Sequence, residues 1–545
     1  MRTVFSVQIA VRLEAEVQAR DLAGSRQKGL GRPRRRWWAL SALALGALTL
    51  GFDVTIMTVA LPTIATELRA GTGALQWMVN AYVLALAGLM LVCGVLGDRY
   101  GRKRLLLVGL AVFAAAAAVA AWADTAETVI AARAAMGIGG AILLPVGFAA
   151  VAALFTSHER GKAISVLVMA GAAGAPLGPL IGGYLLEHYW WGSMFLINIP
   201  LALVAMAAIA AAMPETRDPN PARLDLPGGL LSTGGMVALV YGLIEAPERG
   251  WGSSPVIAAL TIAALLLAAF TWWELRTSQP MIDLRLFRRP QFLWAGLAGG
   301  LVSFGLLGML FVIPHYLQLV TGHDALGAGI RLLPLAGGLI IGAPAGERLA
   351  ARTAYRVPIA LGLVILAAAL TAGATTKVDS GYGLVAGWLA VAGLGIGMAL
   401  SAAMDAVLGV LPPEHAGGGI AITITLRQTG GALGVATLGS VLSQGYTDKL
   451  QPVLESARLP GPAAEAARDS LAGALVVAAR LSDPPPAAAL AVGARTSYLH
   501  GMSVVMITTA AMAAVGAALI AALLPGRPAP ARGIDGARPD RQATG

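Results

Sequence analysis

Apolar stretches long enough to cross a lipid bilayer recur along this chain, and charge, proline or glycine clusters interrupt them. A hydrocarbon core about 30 Å thick requires about 20 helical residues. By this criterion the pattern predicts fourteen transmembrane helices. They cover residues 38–62, 76–97, 104–123, 128–154, 162–186, 193–213, 227–245, 254–274, 291–319, 326–347, 357–376, 382–411, 418–442 and 501–524.

Three segments lie outside the predicted helices. Residues 1–36 are interpreted as a cytoplasmic N-terminal extension. Residues 443–499 are interpreted as an external loop, with a short helix near its centre. Residues 525–545, rich in Pro, Arg, Gly and Asp, are expected to form a disordered cytoplasmic tail.

The composition agrees with a membrane protein. Hydrophobic residues make up 57% of the chain and charged residues 12%, and the mean hydropathy is +0.73. In a soluble domain, hydrophobic residues make up about 45–50% of the chain and charged residues about 25%. A soluble enzyme and a secreted domain are therefore excluded. The single cysteine, Cys93, allows no internal disulfide, and no metal-ligand spacing occurs, so we expect no cofactor.

The net charge of +10 is spread over short loops, so we expect no nucleic-acid partner. We interpret the basic residues as markers of the cytoplasmic side of the membrane. With the N-terminus inside, three bases lie in short outward loops: Arg69, Arg249 and Lys377. Fifteen bases lie in short inward loops: Arg99, Arg102, Lys103, Arg104, Arg160, Lys162, Arg217, Arg223, Arg276, Arg285, Arg288, Arg289, Arg348, Arg352 and Arg356. Both termini are predicted to be cytoplasmic.

Internal similarity divides the helices into two groups. The segment from Gly137 resembles the segment from Gly395, and residues 346–348 echo residues 97–99. An even number of helices separates the copies, so they have parallel orientations. We predict an all-α integral membrane bundle with two six-helix halves, 37–213 and 291–524, and a two-helix insert within 214–290.

The loop between predicted helices 2 and 3 reads GVLGDRYGRKR and resembles the signature loop of the major facilitator superfamily. Its glycines permit a tight reversal, and its carboxylate, Asp98, can face a helix N-terminus. A simple positive-inside anchor is the alternative. The resemblance implies a conformational latch made of Gly94, Asp98, Arg99, Gly101, Arg102 and Lys103.

Residues 52–62, FDVTIMTVALP, resemble a motif of the fourteen-helix drug:proton antiporter branch, although Phe52 replaces Leu and Thr58 replaces Asn. An ionisable group within a membrane helix is costly and is by default a functional candidate. We therefore expect Asp53 to carry protons. The alternative is a purely structural, hydrogen-bonded aspartate.

Arg133 in predicted helix 4 resembles the arginine of a second family motif, with Met136 in place of Gln. The family fold places helices 1 and 4 side by side, which implies that Arg133 pairs with Asp53 as its counter-charge. A static ion pair that fixes packing is the alternative.

Residues 174–183, GAPLGPLIGG, match the pattern G-x-x-x-G-P-x-x-G-G, which the family associates with antiport. Glycines allow a neighbouring helix to approach, and prolines kink the helix. We expect a hinge here, although small-residue packing alone remains the alternative. The hinge candidates are Gly174, Gly178, Pro179, Gly182 and Gly183.

Further similarity lies in residues 76–82 and 191–200. Several polar residues inside the predicted helices are candidates for the substrate cavity. They are Asn80, Tyr82, Arg331, Asp405 and Arg427. Their balance of acids and bases does not require a cationic substrate.

Together these features predict a proton-coupled antiporter rather than an enzyme. It would export drugs or other amphipathic small molecules across a bacterial cytoplasmic membrane as a monomer. The absence of a G-x-x-x-x-G-K-[ST] loop argues against an ATP-driven pump. Two alternatives stay open: a proton-linked nutrient importer of the same fold, and a membrane receptor that transports nothing.

Overall fold

The computed structural model describes residues 33–155, 157–218, 225–277, 284–409, 416–457, 459–481 and 484–525. Every regular element in these residues is helical. The predictions for residues 1–32 and 526–545 lie outside the described residues. The first helices are α1 (Pro33–Glu67), α2 (Thr72–Tyr100), α3 (Arg102–Ala121), α4 (Ala126–Leu154), α5 (Ser157–His188), α6 (Ser193–Leu196), α7 (Asn198–Ala212), α8 (Leu226–Arg249) and α9 (Ser254–Arg276).

The second part of the chain begins with a 3₁₀ helix, Leu284–Arg288, and contains one π-helical turn, Tyr316–Val320. Its α-helices are α10 (Pro290–His315), α11 (Ala325–Arg331), α12 (Leu333–Arg352), α13 (Arg356–Gly373), α14 (Tyr382–Leu408), α15 (Ala416–Ala457), α16 (Gly461–Asp469), α17 (Leu471–Arg480) and α18 (Pro484–Leu523).

Twelve helical stretches in the described part of the chain are long and apolar enough to cross a membrane. The remaining two predicted spans, 162–186 and 418–442, fall within α5 and α15, which have 32 and 42 residues. The all-α membrane architecture is therefore confirmed. The count of fourteen spans stays a prediction.

The same order of helix packing occurs in both halves of the chain. In the first half α1 packs against α5, and α4 packs against both α2 and α3. In the second half α10 packs against α15, and α14 packs against both α12 and α13. These pairings correspond if the six spans of one half are matched in order with those of the other. Two bundles of one design result, as expected from a duplicated unit.

The insert, α8 and α9, lies against both bundles. The two helices pack on each other, and α8 packs along α2 and also touches α15. Gly88 leaves room for Thr233 of α8, and the Ser440 hydroxyl of α15 donates to the Leu243 carbonyl at 2.5 Å. The insert thereby contacts both halves.

We call the end of the bundle at Glu67 and Thr72 the outer end, because the charge bias predicts that it faces the exterior. Hydrogen bonds between the halves lie there. Gln76 of α2 donates to the carbonyls of Val435 and Ala436 at 3.0 Å. Gln318 donates to the carbonyl of Val59 in α1 at 2.7 Å. We call these contacts, with the packing of α5 on α11, the outer seam.

Residues 443–499 are largely helical, because α15 and α18 extend into this segment and α16 and α17 lie between them. We call α16 and α17 the outer cap. Tyr446 donates to the carbonyls of Ala467 and Ser470, and Thr72 of α2 donates to the carbonyl of Asp469. Burial raises the pKa of the Asp469 carboxyl above its ordinary value, and the charge of Glu465 adds to the shift. The cap is thus tied to both halves.

Candidate functional site

Glycines of α5 bring its backbone against α1 on either side of Asp53. A Cβ on Gly174 would collide with the backbone of Gly51, and one on Gly178 would collide with the side chain of Thr55. The Thr55 hydroxyl donates to the Gly174 carbonyl at 2.9 Å. Small residues thus fix the α1–α5 crossing, as is common where membrane helices approach closely.

The other residues of the helix 5 motif extend the contact along α5. Gly182 packs on Ile56 of α1, whereas Gly183 packs on Leu326 of α11. The carbonyl of Pro179 approaches Gly329 of α11. One face of the motif therefore packs against α1 of the first bundle, and another face packs against α11 in the outer seam. Its role as a hinge stays a prediction.

Asp53 is fully buried and is held by partners from two other helices. One carboxylate oxygen, Oδ2, forms an ion pair with the guanidinium of Arg133 in α4. The other, Oδ1, accepts a hydrogen bond of 3.0 Å from Nδ2 of Asn198 in α7. The contact between Asp53 and Arg133 that the family resemblance implies is present. Both oxygens are satisfied, so the ionised carboxylate has a complete set of partners.

Arg133 is fixed by two further groups of α2. Its Nε donates to the carbonyl of Met78 at 3.1 Å, and its guanidinium lies 4.3 Å from the centre of the Tyr82 ring. The Tyr82 hydroxyl and the Asn80 amide are buried, and neither has a hydrogen-bond partner among the described residues. Buried polar groups of this kind often await a water molecule or a ligand.

A small cavity of about 10 Å³ separates this ion pair from the second bundle. Thr58, Tyr82 and Arg133 supply its polar wall, and Leu307 and Phe311 of α10 form part of the opposite wall. The ion pair therefore lies where the two bundles meet, rather than within one bundle alone.

The signature loop packs within the first half. Gly94 and Gly97 approach α4, and Gly101 has a φ of +112°, which favours glycine. Arg102 contacts Asp98 through Nε at 2.9 Å and through Nη2 at 2.7 Å. Arg99 is exposed and lies over the ring of Tyr100. The latch function of this loop stays a prediction.

Asp98 meets the start of α3 through the side chain of Arg102, which is the first residue of that helix. A second carboxylate at the start of α3 belongs to Glu215, which accepts from the backbone N–H groups of Lys103 at 3.0 Å and Arg104 at 3.2 Å. The ammonium group of Lys103 donates to the Ala210 carbonyl at 2.6 Å. Glu215 follows α7 in the chain, so sequence spacing gave no sign of this contact.

The candidates for the substrate cavity in the second half of the chain do not contact Asp53. Arg331 donates to the Gly327 carbonyl at 3.1 Å and lies over the Tyr382 ring. Arg427 packs beside Gly299, and its Nε has no hydrogen-bond partner among the described residues. Asp405 lies near the inner end of α14. Their assignment to a substrate cavity stays a prediction.

Asn198 is the site residue that sequence reasoning did not assign. It lies in the family-like segment 191–200, but nothing in that segment indicates a contact with a carboxylate 145 residues earlier. A polar amide at the start of an otherwise apolar helix was the available signal. The burial of Asn198 beside Asp53 explains why an amide occurs there.

Two helical bundles of one design that meet beside a buried ion pair are the architecture of a membrane transporter. Residues 43–435 match the Major Facilitator Superfamily. The chain belongs to this family, and it is a multi-pass membrane protein.

Several relatives share about a third of its sequence. The tetracenomycin C resistance and export protein of Streptomyces glaucescens is 33% identical over 90% of this chain and 91% of the relative. The multidrug efflux pump LfrA of Mycolicibacterium smegmatis is 34% identical over 90% of this chain and 96% of the relative. The methyl viologen resistance protein SmvA of Salmonella typhimurium is 32% identical over 88% and 96%.

Solved structures show the same fold. A bacterial homologue of the human lysosomal transporter Spinster, in an inward-facing and occupied conformation, aligns with a TM-score of 0.62 at 18% identity. The alignment covers 90% of this chain and 98% of that one. The xylose transporter XylE of E. coli, in an inward open conformation, aligns with a TM-score of 0.53 at 13% identity over 90% and 97%.

Proposed function

We propose that this chain exports drugs and other amphipathic small molecules in exchange for protons, by alternating access between two bundles. The observation that carries the proposal is the buried ion pair of Asp53 and Arg133 beside the cavity between the halves. The names of three relatives, which describe drug resistance, export or efflux, support the direction of transport.

Proton exchange at Asp53 would change the contacts of Arg133. An ionised Asp53 binds both Arg133 and Asn198, whereas a protonated Asp53 loses the ion pair. A buried guanidinium without a counter-charge is costly, so the wall of the cavity would rearrange. Protonation would thereby favour a different arrangement of α1 and α4.

In the proposed cycle, the closed outer seam belongs to the state in which substrate enters from the cytoplasm. One proton moving down about 100 mV and about one pH unit releases roughly 3.7 kcal/mol. That free energy supports a several-hundredfold concentration of the exported substrate. We assign the protein to a bacterial cytoplasmic membrane as a monomer, with both termini in the cytoplasm.

The test uses inside-out vesicles from an efflux-deficient host, with methyl viologen, ethidium and puromycin as probes. The wild type should accumulate at least one probe when the vesicle interior is acidified, and adding that probe should release protons. Asp53→Asn should abolish both effects. Asp124→Asn, which changes an exposed aspartate in an outer loop, is the matched control.

Three outcomes would overturn parts of the proposal. Export by Asp53→Asn at the wild-type rate would remove Asp53 from the coupling. Greater accumulation of the probes in whole cells on expression would favour an importer. Binding of a probe without any flux would favour a receptor.

A further inference from the structure

A second cavity lies directly beneath the outer cap. Its volume is about 20 Å³, enough for one water molecule. Helices of both halves surround it: Ala65, Thr72 and Leu75 come from the first half, and His315 and Tyr498 are among the residues from the second. Closing of the outer seam therefore forms this cavity. Opening of the seam would expose the walls of the cavity to the exterior.

His315 is the group in this cavity that titrates nearest to neutral pH. The residue is 6% exposed and occupies the last position of α10, immediately before the π-helical turn. Its Nδ1 lies 3.0 Å from the carbonyl oxygen of Phe311. A carbonyl oxygen only accepts, so Nδ1 carries the proton and Nε2 is left as the basic nitrogen.

No carboxylate lines the cavity among the described residues, although helices of both halves surround it. The other titratable groups in its wall are the phenols of Tyr446 and Tyr498, and each donates its hydroxyl to a backbone carbonyl. Asp469 precedes Ser470 of the wall, and its carboxylate lies beside Gly71 rather than in the lining of the cavity. Arg495 of α18 donates to a carbonyl of the π-helical turn after His315. An imidazolium ion in the closed cavity would thus lack a counter-charge.

Phe311 connects this cavity with the Asp53–Arg133 pair. The residue lies one helical turn from His315, and its side chain lines both cavities. It is 2% exposed. The closed route from the cap to Arg133 therefore consists of two small cavities divided by one aromatic ring.

We propose that His315 is a second proton-binding site, which takes a proton from the exterior only when the outer seam is open. The proposal rests on the alternating access of the proposed function. The seam closes around a neutral imidazole, because a buried charge without a partner is costly. His315 must lose its proton before the seam closes, so acid on the outer side holds the seam open.

The expected effect follows from linkage between protonation and conformation. A proton that binds only the open state raises the ratio of open to closed molecules by up to about tenfold per pH unit. The change occurs below the pH at which exposed His315 becomes protonated.

The test measures the width of the outer end by electron–electron double resonance in lipid nanodiscs. Spin labels on Glu67→Cys and Asp379→Cys report the distance, since these exposed residues lie at the outer ends of opposite halves. Cys93→Ser removes the native thiol, and Asp53→Asn removes the Asp53 carboxylate. The population with the longer distance should rise between pH 8 and pH 5.

His315→Gln should abolish this rise, whereas His500→Gln, which changes an exposed histidine of α18, should leave it unchanged. Ser443→Asp places a carboxylate in the cavity wall and should reduce the rise, because an imidazolium ion would then have a partner when the seam is closed. An unchanged rise in either His315→Gln or Ser443→Asp overturns the inference, as does a parent protein without a rise.

The two proposals fail in different ways. If wild-type vesicles show no proton-driven flux, the proposed proton coupling is wrong. The distance measurement is independent of that result, because it needs neither substrate nor gradient. A wild type that exports with protons but whose outer end is insensitive to acid removes His315 alone.

Discussion

The side chain of Gln318 donates a hydrogen bond of 2.7 Å to the backbone carbonyl of Val59, and this bond joins the second half of the chain to the first. Gln76 forms the reverse contact, from the first half to carbonyls of the second. Each half therefore contributes one glutamine to the outer seam. Both sets of bonds must break when the bundles separate at the outer end.

Loss of one glutamine should open the seam more often. Gln318→Leu removes a bond whose net contribution is about 1 kcal/mol, so the ratio of outward-open to closed molecules should rise about fivefold. The measurement is the labelling rate of Leu75→Cys, in a Cys93→Ser background, by an impermeant maleimide added outside. Leu75 lines the outer cavity and is buried in the closed seam.

Gln451→Leu is the control for this measurement, because Gln451 forms exposed bonds within the second half. The labelling rate of Gln451→Leu should equal that of the parent protein. Equal rates for Gln318→Leu and the parent would contradict a role for Gln318 in closing the seam.

Removal of Arg133 alone should be worse than removal of both members of its ion pair. Arg133→Gln leaves the Asp53 carboxylate buried without a counter-charge, which costs about 3–5 kcal/mol. The double variant Asp53→Asn with Arg133→Gln removes that charge and should recover much of the loss. Thermal unfolding in detergent compares both variants with the wild type. A double variant no more stable than Arg133→Gln would argue that the pair contributes little.

A methyl group on Gly174 should disturb the α1–α5 crossing. The new Cβ would meet the backbone of Gly51, which cannot move aside as a side chain can. We expect Gly174→Ala to lower stability by about 1–3 kcal/mol. Gly46→Ala is the matched control, because nothing lies within 4 Å of its Cβ position and its effect should stay within about 0.5 kcal/mol. Similar unfolding temperatures for the two variants would refute the close contact.

Glu215 should stabilise the start of α3. Glu215→Ala removes both hydrogen bonds to the first turn of the helix and should cost about 1–2 kcal/mol. Glu215→Gln keeps an acceptor but loses the charge and should cost about half as much. Thermal unfolding tests both, with the exposed Glu187→Gln as the control. Wild-type stability of both Glu215 variants would show that other groups satisfy this helix end.

The length of the apolar stretches identified the helices, and their existence could be predicted because backbone hydrogen bonds within a bilayer are satisfied inside each segment. The signature loop and Asp53 were also visible, since a polar group in an apolar run stands out in one sequence. The partner of Asp53 in α4 came from family resemblance. The boundaries were less certain: α1 begins at Pro33 and α15 continues to Ala457, beyond the predicted ends.

The sequence by itself determined the all-helical architecture and the carboxylate within the apolar part of helix 1, and its basic residues predict which face is the inner one. Only the tertiary structure decided that Asn198 binds the second oxygen of Asp53, that Glu215 accepts from the first backbone N–H groups of α3, and that Gln318 contacts Val59. These partners are separated by 145, 112 and 259 residues. Helix formation depends on neighbouring residues, whereas such contacts depend on how the helices pack.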